Sequence, residues 1–373
     1  MKKGLLFSFF CLSLGLSPTL AQNPDSLSRP PKIQIALLLD VSGSMNGLIA
    51  QAQAQLWTMV NQLSDLQKEG QKPEIEFGVI TFGNDDLAET AHIQLVASFT
   101  NDLDLISEQL FLLEVTGSNE HCGAALQTAM DSLNWSKDTS ALMMIMIAGN
   151  ESFDQGEVDY AAICHKIAKH HIFVNTVYCG DLVEGIEMQW ESAAQIGTGQ
   201  YVNIEQDLAI EQLETPYDGK IIDLYQQYKA THLFFGPDHL EKTNRYHNQD
   251  INAYQISNAY FRDRIIYKIK QDDHFDQWDL IDRFEENTDF LEEITPDDLP
   301  ENLRQQPKKE IRKLLIQNQY KRQIIIEAIS LYAEKVEAFL KINQKDKEEE
   351  KTLDDVLRYI VKKQAKKKGF LHP

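Results

Sequence analysis

Asp40-Val41-Ser42-Gly43-Ser44 places a carboxylate and two hydroxyls at alternate positions, three oxygen-bearing side chains within five residues. Hard divalent cations prefer oxygen ligands of this kind. So short a pattern recurs by chance, and its place in the chain is what lends it meaning. It closes a nearly all-apolar run, 33–39, and leads into Ile49, Ala52, Leu56, Val60 and Leu63, which recur every three or four residues. A strand end opening into a helix start is where open α/β sheets form their ligand crevices. The competing reading is structural: the same three oxygens could simply cap the helix that follows.

Other reactive side chains point toward structure rather than chemistry. His121 adjoins Cys122, but sequence neighbours do not face each other for proton transfer, and no third residue orients the imidazole. His165, His170 and His171 fall near a helix end, where histidines complement the helix dipole. Gly197-Thr198-Gly199 leads into a strand, so it is not a phosphate-binding loop. Tyr254, Ile256, Tyr260 and Ile265 have the spacing of a core stripe. The spacings of Cys122, Cys164 and Cys179 match no compact zinc pattern.

The elements that must position residues 40–44 follow from periodicity. Run 33–39 suits a central strand buried on both faces. Runs 75–82 and 93–97 read as strands joined by a short turn containing Gly83-Asn84-Asp85, hence antiparallel, with the second at the edge. Helices over 103–113 and 122–133, a central strand over 141–147, a helix over 160–169, a strand over 172–178, a helix over 188–196 and a strand over 200–204 complete the alternation. The expected fold is α/β: a doubly wound, mainly parallel six-stranded sheet with one antiparallel edge strand. After Thr215-Pro216 the pattern turns helical, with stripes over 251–269 and 311–340 punctuated by Pro296, Pro300 and Pro307. These stripes need a partner, either a small bundle or the sheet. The charge run 345–351 reads as a solvated turn; beyond it Thr352, Asp354 and Asp355 open a helix that Lys362 to Lys368 closes.

The chain begins Lys2-Lys3, an apolar run from Gly4 to Leu16, then Pro18-Thr19-Leu20-Ala21, the three-part pattern of a secretory signal peptide. The expected organisation is a signal peptide over 1–21, a linker over 22–31, an α/β domain over 32–215 and a helical region over 216–373. Phe9 and Phe10 stand before Cys11 where lipidation wants small residues. The apolar run is shorter than the ~20 residues of a membrane span, and no later segment qualifies. The expectation is export to the periplasm or the exterior. Formal charge is −21, with 57 acidic against 36 basic residues, so the surface repels phosphate backbones and nucleic acid is excluded as a partner.

Leu37-Leu38-Leu39-Asp40-Val41-Ser42-Gly43-Ser44-Met45 resembles the metal-ion-dependent adhesion site of von Willebrand factor type A domains, over roughly 32–215, in the manner of exported bacterial members with a C-terminal helical region. The resemblance implies that Ser42 and Ser44 coordinate Mg²⁺ or Mn²⁺, with Ca²⁺ a further candidate, that Asp40 acts largely through water, and that an acidic side chain of a protein partner completes the shell. Two loops depart from the family. Where the second supplies a threonine, this chain reads Thr116-Gly117-Ser118-Asn119-Glu120-His121-Cys122-Gly123; aligning on Gly123 puts Glu120 at that position, with Thr116 and Ser118 as further candidates. The third, normally Thr-Asp-Gly, is Ala148-Gly149-Asn150 here, so the aspartate is missing. Glu120 compensates for the lost charge, or Asn150 or Glu151 reaches in. Cys122 opens the helix after the second loop and Cys179 ends a strand at the same sheet edge, so a disulfide between them is expected, leaving Cys164 as a free thiol.

The reading is an exported adhesion or complex-assembly module and not an enzyme. The alternative is a metal-independent scaffold with a degenerate site. A hydrolase ranks behind both, because no positioned nucleophile and base is found.

Overall fold

The computed structural model describes residues 30–86, 92–205, 212–236, 239–270, 278–343 and 353–371. The expected signal peptide, most of the linker, and Thr352 with the charge run 345–351 lie outside the described residues.

Six strands form one sheet: β1 Lys32–Asp40, β2 Glu74–Phe82, β3 Ile93–Thr100, β4 Leu142–Gly149, β5 Ile172–Cys179 and β6 Thr198–Ile204. Their order is β3-β2-β1-β4-β5-β6, parallel throughout except for β3, which pairs antiparallel at one edge. Between the strands run α1 Asn46–Ser64, α2 Leu103–Phe111, α3 Cys122–Ser132, α4 Tyr160–Lys169, α5 Leu182–Glu187 and α6 Trp190–Ile196. The helix expected over 188–196 is α6; α5, just before it, was not expected, and Gln189, with φ +69°, makes the break between them.

The side-chain alternation of a strand sorts the central residues onto two faces. Ile33, Ile35, Leu37 and Leu39, with Met144 and Met146, pack under α1 and α2. Ala36 and Leu38, with Met143, Ile145 and Ile147, pack against α3, α4 and α6. Both faces being covered, β1 and β4 read as continuous apolar runs rather than alternating ones.

Among the described residues, seven α-helices follow the sheet: α7 Asp218–Lys229, α8 His239–Ile256, α9 Asn258–Lys270, α10 Leu280–Glu286, α11 Phe290–Glu293, α12 Lys308–Asn343 and α13 Leu353–Lys367. The stripe expected over 251–269 is two helices, divided at Ser257, whose hydroxyl accepts the Tyr260 N–H at 3.0 Å and caps α9. Their apolar faces pack on the α1 side of the domain: Ile221, Tyr225, Tyr260, Ile265, Ile329 and Ile360 belong to the same buried cluster as Leu56, Trp57 and Val60. Residues 31–373 thus form one compact unit. Tyr254, expected in that core, is instead exposed. A smaller core joins α10, α11 and the start of α12 through Leu280, Phe284, Leu291 and Ile311. Among the described residues, no helix is long and apolar enough to cross a membrane.

β2 and β3 end and begin where the runs 75–82 and 93–97 did, and at the start of their connection Gly83 pairs with Asn119 in an isolated antiparallel bridge. Gly83, Asn84 and Asp85 therefore stand beside the end of β1 and the 116–121 loop, where the site is built.

Candidate functional site

Four loops meet at the C-terminal edge of the sheet. Backbone bonds tie three together: Val41 N–H donates to Phe82 O at 2.9 Å, Gly43 N–H to Gly117 O at 3.0 Å, and Thr116 N–H to Val41 O at 2.8 Å. The end of β4 brings Gly149 and Asn150 to the fourth side.

Asp40 is wholly buried at their centre. Its Oδ1 accepts the Ser42 N–H at 2.7 Å. Glycines flank the carboxylate on both sides. A Cβ at Gly83 would stand 2.8 Å from Oδ1, and one at Gly149 would stand 3.0 Å from Oδ2. Gly83 also holds φ +93°, which other residues resist. Oδ2 receives no hydrogen bond from an N–H or hydroxyl, a burial that costs ~1–3 kcal/mol unless something compensates it.

Glu120 lies beside this carboxylate and is also buried. Burial first, then the adjacent Asp40, push its pKa up to about 9; a hydrogen bond from Ser42 opposes the rise and the charge of Glu151 adds to it. Burial likewise raises Asp40, against which contacts with Glu120 and Ser42 act. The physical picture is two buried carboxyls sharing one proton, held on Glu120 and offered to Asp40.

The two serines complete the group. The Ser42 and Ser44 hydroxyls are 3.3 Å apart, the first buried and the second exposed. Asn150 Nδ2 donates to Ser44 Oγ at 3.2 Å, so Asn150 joins the site. Glu151 stands at its margin, exposed; its Oε2 accepts from Gln155 Nε2 at 3.4 Å. Ser118 is directed elsewhere, donating to Asp85 Oδ2 at 3.1 Å, while Asn119 Nδ2 donates to Asp85 Oδ1 at 2.7 Å. Thr116 is exposed on the same loop and contributes a backbone bond. The helix-cap reading does not describe what the oxygens do: the N-cap of α1 is Met45, with no side-chain cap bond.

The donor set suits a hard divalent cation. It consists of oxygens from Asp40, Glu120, Ser42, Ser44 and Asn150, the two carboxyls buried side by side. A cation would supply the positive charge for which the shared proton now substitutes. Among the described residues, no group of three or more His, Cys, Asp or Glu side chains could hold a metal ion, so the set depends on the serine hydroxyls.

Cys122, Cys164 and Cys179 are buried free thiols, and the expected Cys122–Cys179 link is not made. Cys179 packs on the α1 face of the sheet and Cys122 on the α3 face with Cys164, so the sheet itself separates the pair. Three participants escaped the sequence reading: Gly83 and Gly149, which make room for Asp40, and Asp85, which fixes the Glu120 loop. The available signal was Gly83-Asn84-Asp85 at a strand end, read there only as turn chemistry.

A family model described as von Willebrand factor type A domain matches residues 34–211. No curated protein matches the chain. Among solved structures, the chain is similar to the VWA domain of SpRpn10, at 16% identity over 46% of this chain and 87% of that one, TM-score 0.36. It is similar to the conserved hypothetical protein BatB from Bacteroides thetaiotaomicron, at 15% identity over 53% of this chain and 98% of that one, TM-score 0.36. It is also similar to proximal thread matrix protein 1 from the mussel byssus, with zinc occupied MIDAS motif, at 12% identity over 47% of this chain and 42% of that one, TM-score 0.35.

Proposed function

The chain carries a von Willebrand factor type A domain over residues 34–211, and from that premise we propose that it is a protein-binding module whose partner docks over Ser42, Ser44 and Asn150 with a divalent cation held beneath. Domains of this type generally mediate protein–protein interaction. The observation that carries the metal-dependent reading is the buried pair of carboxyls, Asp40 and Glu120, beside the Ser42 hydroxyl at the strand ends, where a cation could replace the shared proton. Ser42, Ser44, Asp40 and Glu120 would hold the ion, with Asn150 beside them. Mg²⁺ or Mn²⁺ suits the oxygen set, with Ca²⁺ a further candidate. The bound ion would supply a Lewis-acid position for an acidic side chain of the partner. Asp40 would fix the inner side of the site, Gly83 and Gly149 would keep its carboxylate in place, and exposed Ser44 would mark the opening.

The reading is of a binding module and not an enzyme. Cys122 beside His121 and Cys164 beside His165 are both buried, and burial pushes both thiols up, Cys122 further raised by the charges of Asp40 and Glu120, away from the thiolate a nucleophile needs. Lys2-Lys3 and the apolar run from Gly4 to Leu16 support a reading of export, to the periplasm or outside the cell. Isothermal titration of the mature chain with Mg²⁺, Mn²⁺ and Ca²⁺ should give saturable heat that Asp40→Ala abolishes; no saturable heat with any of the three would sink the metal-dependent form. A metal-independent scaffold is favoured by the bonds that already hold the loops, Ser42 N–H to Asp40 and Asn150 to Ser44. Partner capture from the native envelope fraction separates the two: EDTA-sensitive capture supports the first and EDTA-resistant capture the second.

A further inference from the structure

Helix α12 is 36 residues long and buries Ile311, Leu315, Ile325, Ile329 and Val336. Its other face exposes Ile316, Tyr320, Ile324, Leu331 and Ile342, with Tyr320 at 70% and Ile342 at 81%. Scattered apolar residues are ordinary on a surface. These are aligned. Stepping by four, four and three from 316, the line runs through 320, 324, 327, 331, 335 and 338 to 342, and every position on it is exposed. At 1.5 Å per residue it is ~40 Å long, and its steps follow the 11-residue period of a nearly straight helix rather than a heptad. Only two charges interrupt it, Glu327 and Lys335.

We propose that this face pairs with the same face of a second copy of the chain, antiparallel, about a twofold axis at Leu331. An axis there sets opposite one another the positions equally distant from Leu331 on either side. Glu327, four residues before, meets Lys335, four after; Ile324, seven before, meets Ala338, seven after; Tyr320, eleven before, meets Ile342, eleven after. The two charges become two symmetric ion pairs and the apolar positions from 320 to 342 match, while Ile316 falls outside the paired stretch, its mate at 346 lying beyond α12. Parallel pairing would set Glu327 against Glu327 and Lys335 against Lys335, a like-charge arrangement that costs energy. Such complementarity of a surface to itself is what an isologous interface requires. The contacts these two charges make within the helix do not compete strongly: Gln323 Nε2 donates to Glu327 at 3.0 Å and the Lys335 ammonium lies 4.8 Å from the Tyr332 ring centre, both at exposed positions. The seam lies on the helical region, whereas loops 40–45, 83–85, 116–121 and 149–151 build the candidate site. A dimer through α12 therefore carries two such sites on one particle and binds a multivalent partner with added avidity.

The test uses the full mature chain. Sedimentation equilibrium should show a monomer–dimer equilibrium. Glu327→Lys alone and Lys335→Glu alone should each raise the dimer dissociation constant about tenfold or more, and the double charge swap should restore it. Under mild oxidation Leu331→Cys should form a disulfide-linked dimer. Ile316→Cys should not, because its two copies would lie ~45 Å apart in the antiparallel register. A monomer at all concentrations, charge reversals that fail to compensate, or cross-linking through Ile316→Cys would each overturn the proposal.

Discussion

At the scale of single residues, Glu120 decides the character of the site. In the folded domain its pKa is pushed from 4.5 up to about 9 by burial and then by Asp40. A carboxyl whose folded value is raised contributes most stability below its unfolded value and loses it as pH rises toward the folded one. In EDTA, the domain should therefore lose stability between about pH 4.5 and 9. Glu120→Gln keeps the shape and removes the charge. Its melting temperature in EDTA at pH 8 should exceed the wild type by about 2–4 °C, the shift that ~1 kcal/mol produces in a domain of this size, and its pH profile should be flatter. Melting curves across that range check this; a Gln variant with an unchanged profile would show that Glu120 is ionised without cost. The substitution was legible from the sequence, by alignment on Gly123, but its effect was not. A raised pKa needs Asp40 alongside, and those two residues are eighty positions apart in the chain.

Between elements, the seam joining the sheet domain to the helical region is held by charge as well as by apolar packing. Arg264 and Lys268 of α9 both pair with Asp104 of α2, Lys268 at 3.0 Å, and Arg264 also reaches Asp250 of α8 at 3.0 Å. Burial alone would raise the Asp104 pKa, but Arg264 and Lys268 outweigh it and hold it below 3.8. For a depressed carboxyl, the stabilisation is fully present above the unfolded value and is lost as pH falls through the folded one. Acid below about pH 4 should therefore loosen the seam. Asp104→Asn leaves Arg264 buried with Asp250 as its remaining carboxylate, and should cost about 3 kcal/mol. Urea unfolding at pH 7 measures the loss; a cost under the ~0.5 kcal/mol typical of surface changes would mean that the pairing is ornamental. The stripes that became α9 and α12 were legible, because each carries its own periodicity, whereas α7, α10 and α11 were not read. How the helices pair was not legible: the sequence left open whether they form a bundle or cover the sheet.

Across the whole molecule, the first two-thirds of the chain and the helical remainder share one buried cluster. Trp57 of α1 shows why: the Arg264 guanidinium lies 4.9 Å from its ring and the Tyr267 ring 5.6 Å. A fragment ending at residue 215 would uncover the α1 surface that α9 and α13 cover. Expressed as 31–215, it should aggregate or bind a hydrophobic dye and melt well below 31–373. A fragment that is monomeric and melts at the same temperature would show instead that the sheet domain is self-sufficient. The boundary at 215 marks a change of secondary structure, and the core continues across it.

Much of this protein was determined locally. Apolar runs of strand length alternating with helical stripes specify the six strands and their neighbours, because burial on two faces or one stripe leaves its period in the sequence. An antiparallel edge strand and the metal-site motif at the end of β1 were readable for the same reason. What tertiary structure decided are the meetings between distant segments. Folding directed Ser118 to Asp85, brought Asn150 to Ser44, set Gly83 and Gly149 against Asp40, and put the sheet between Cys122 and Cys179. None of these follows from spacing along the chain. Each depends on how loops from separate strand ends approach one another once the sheet has formed.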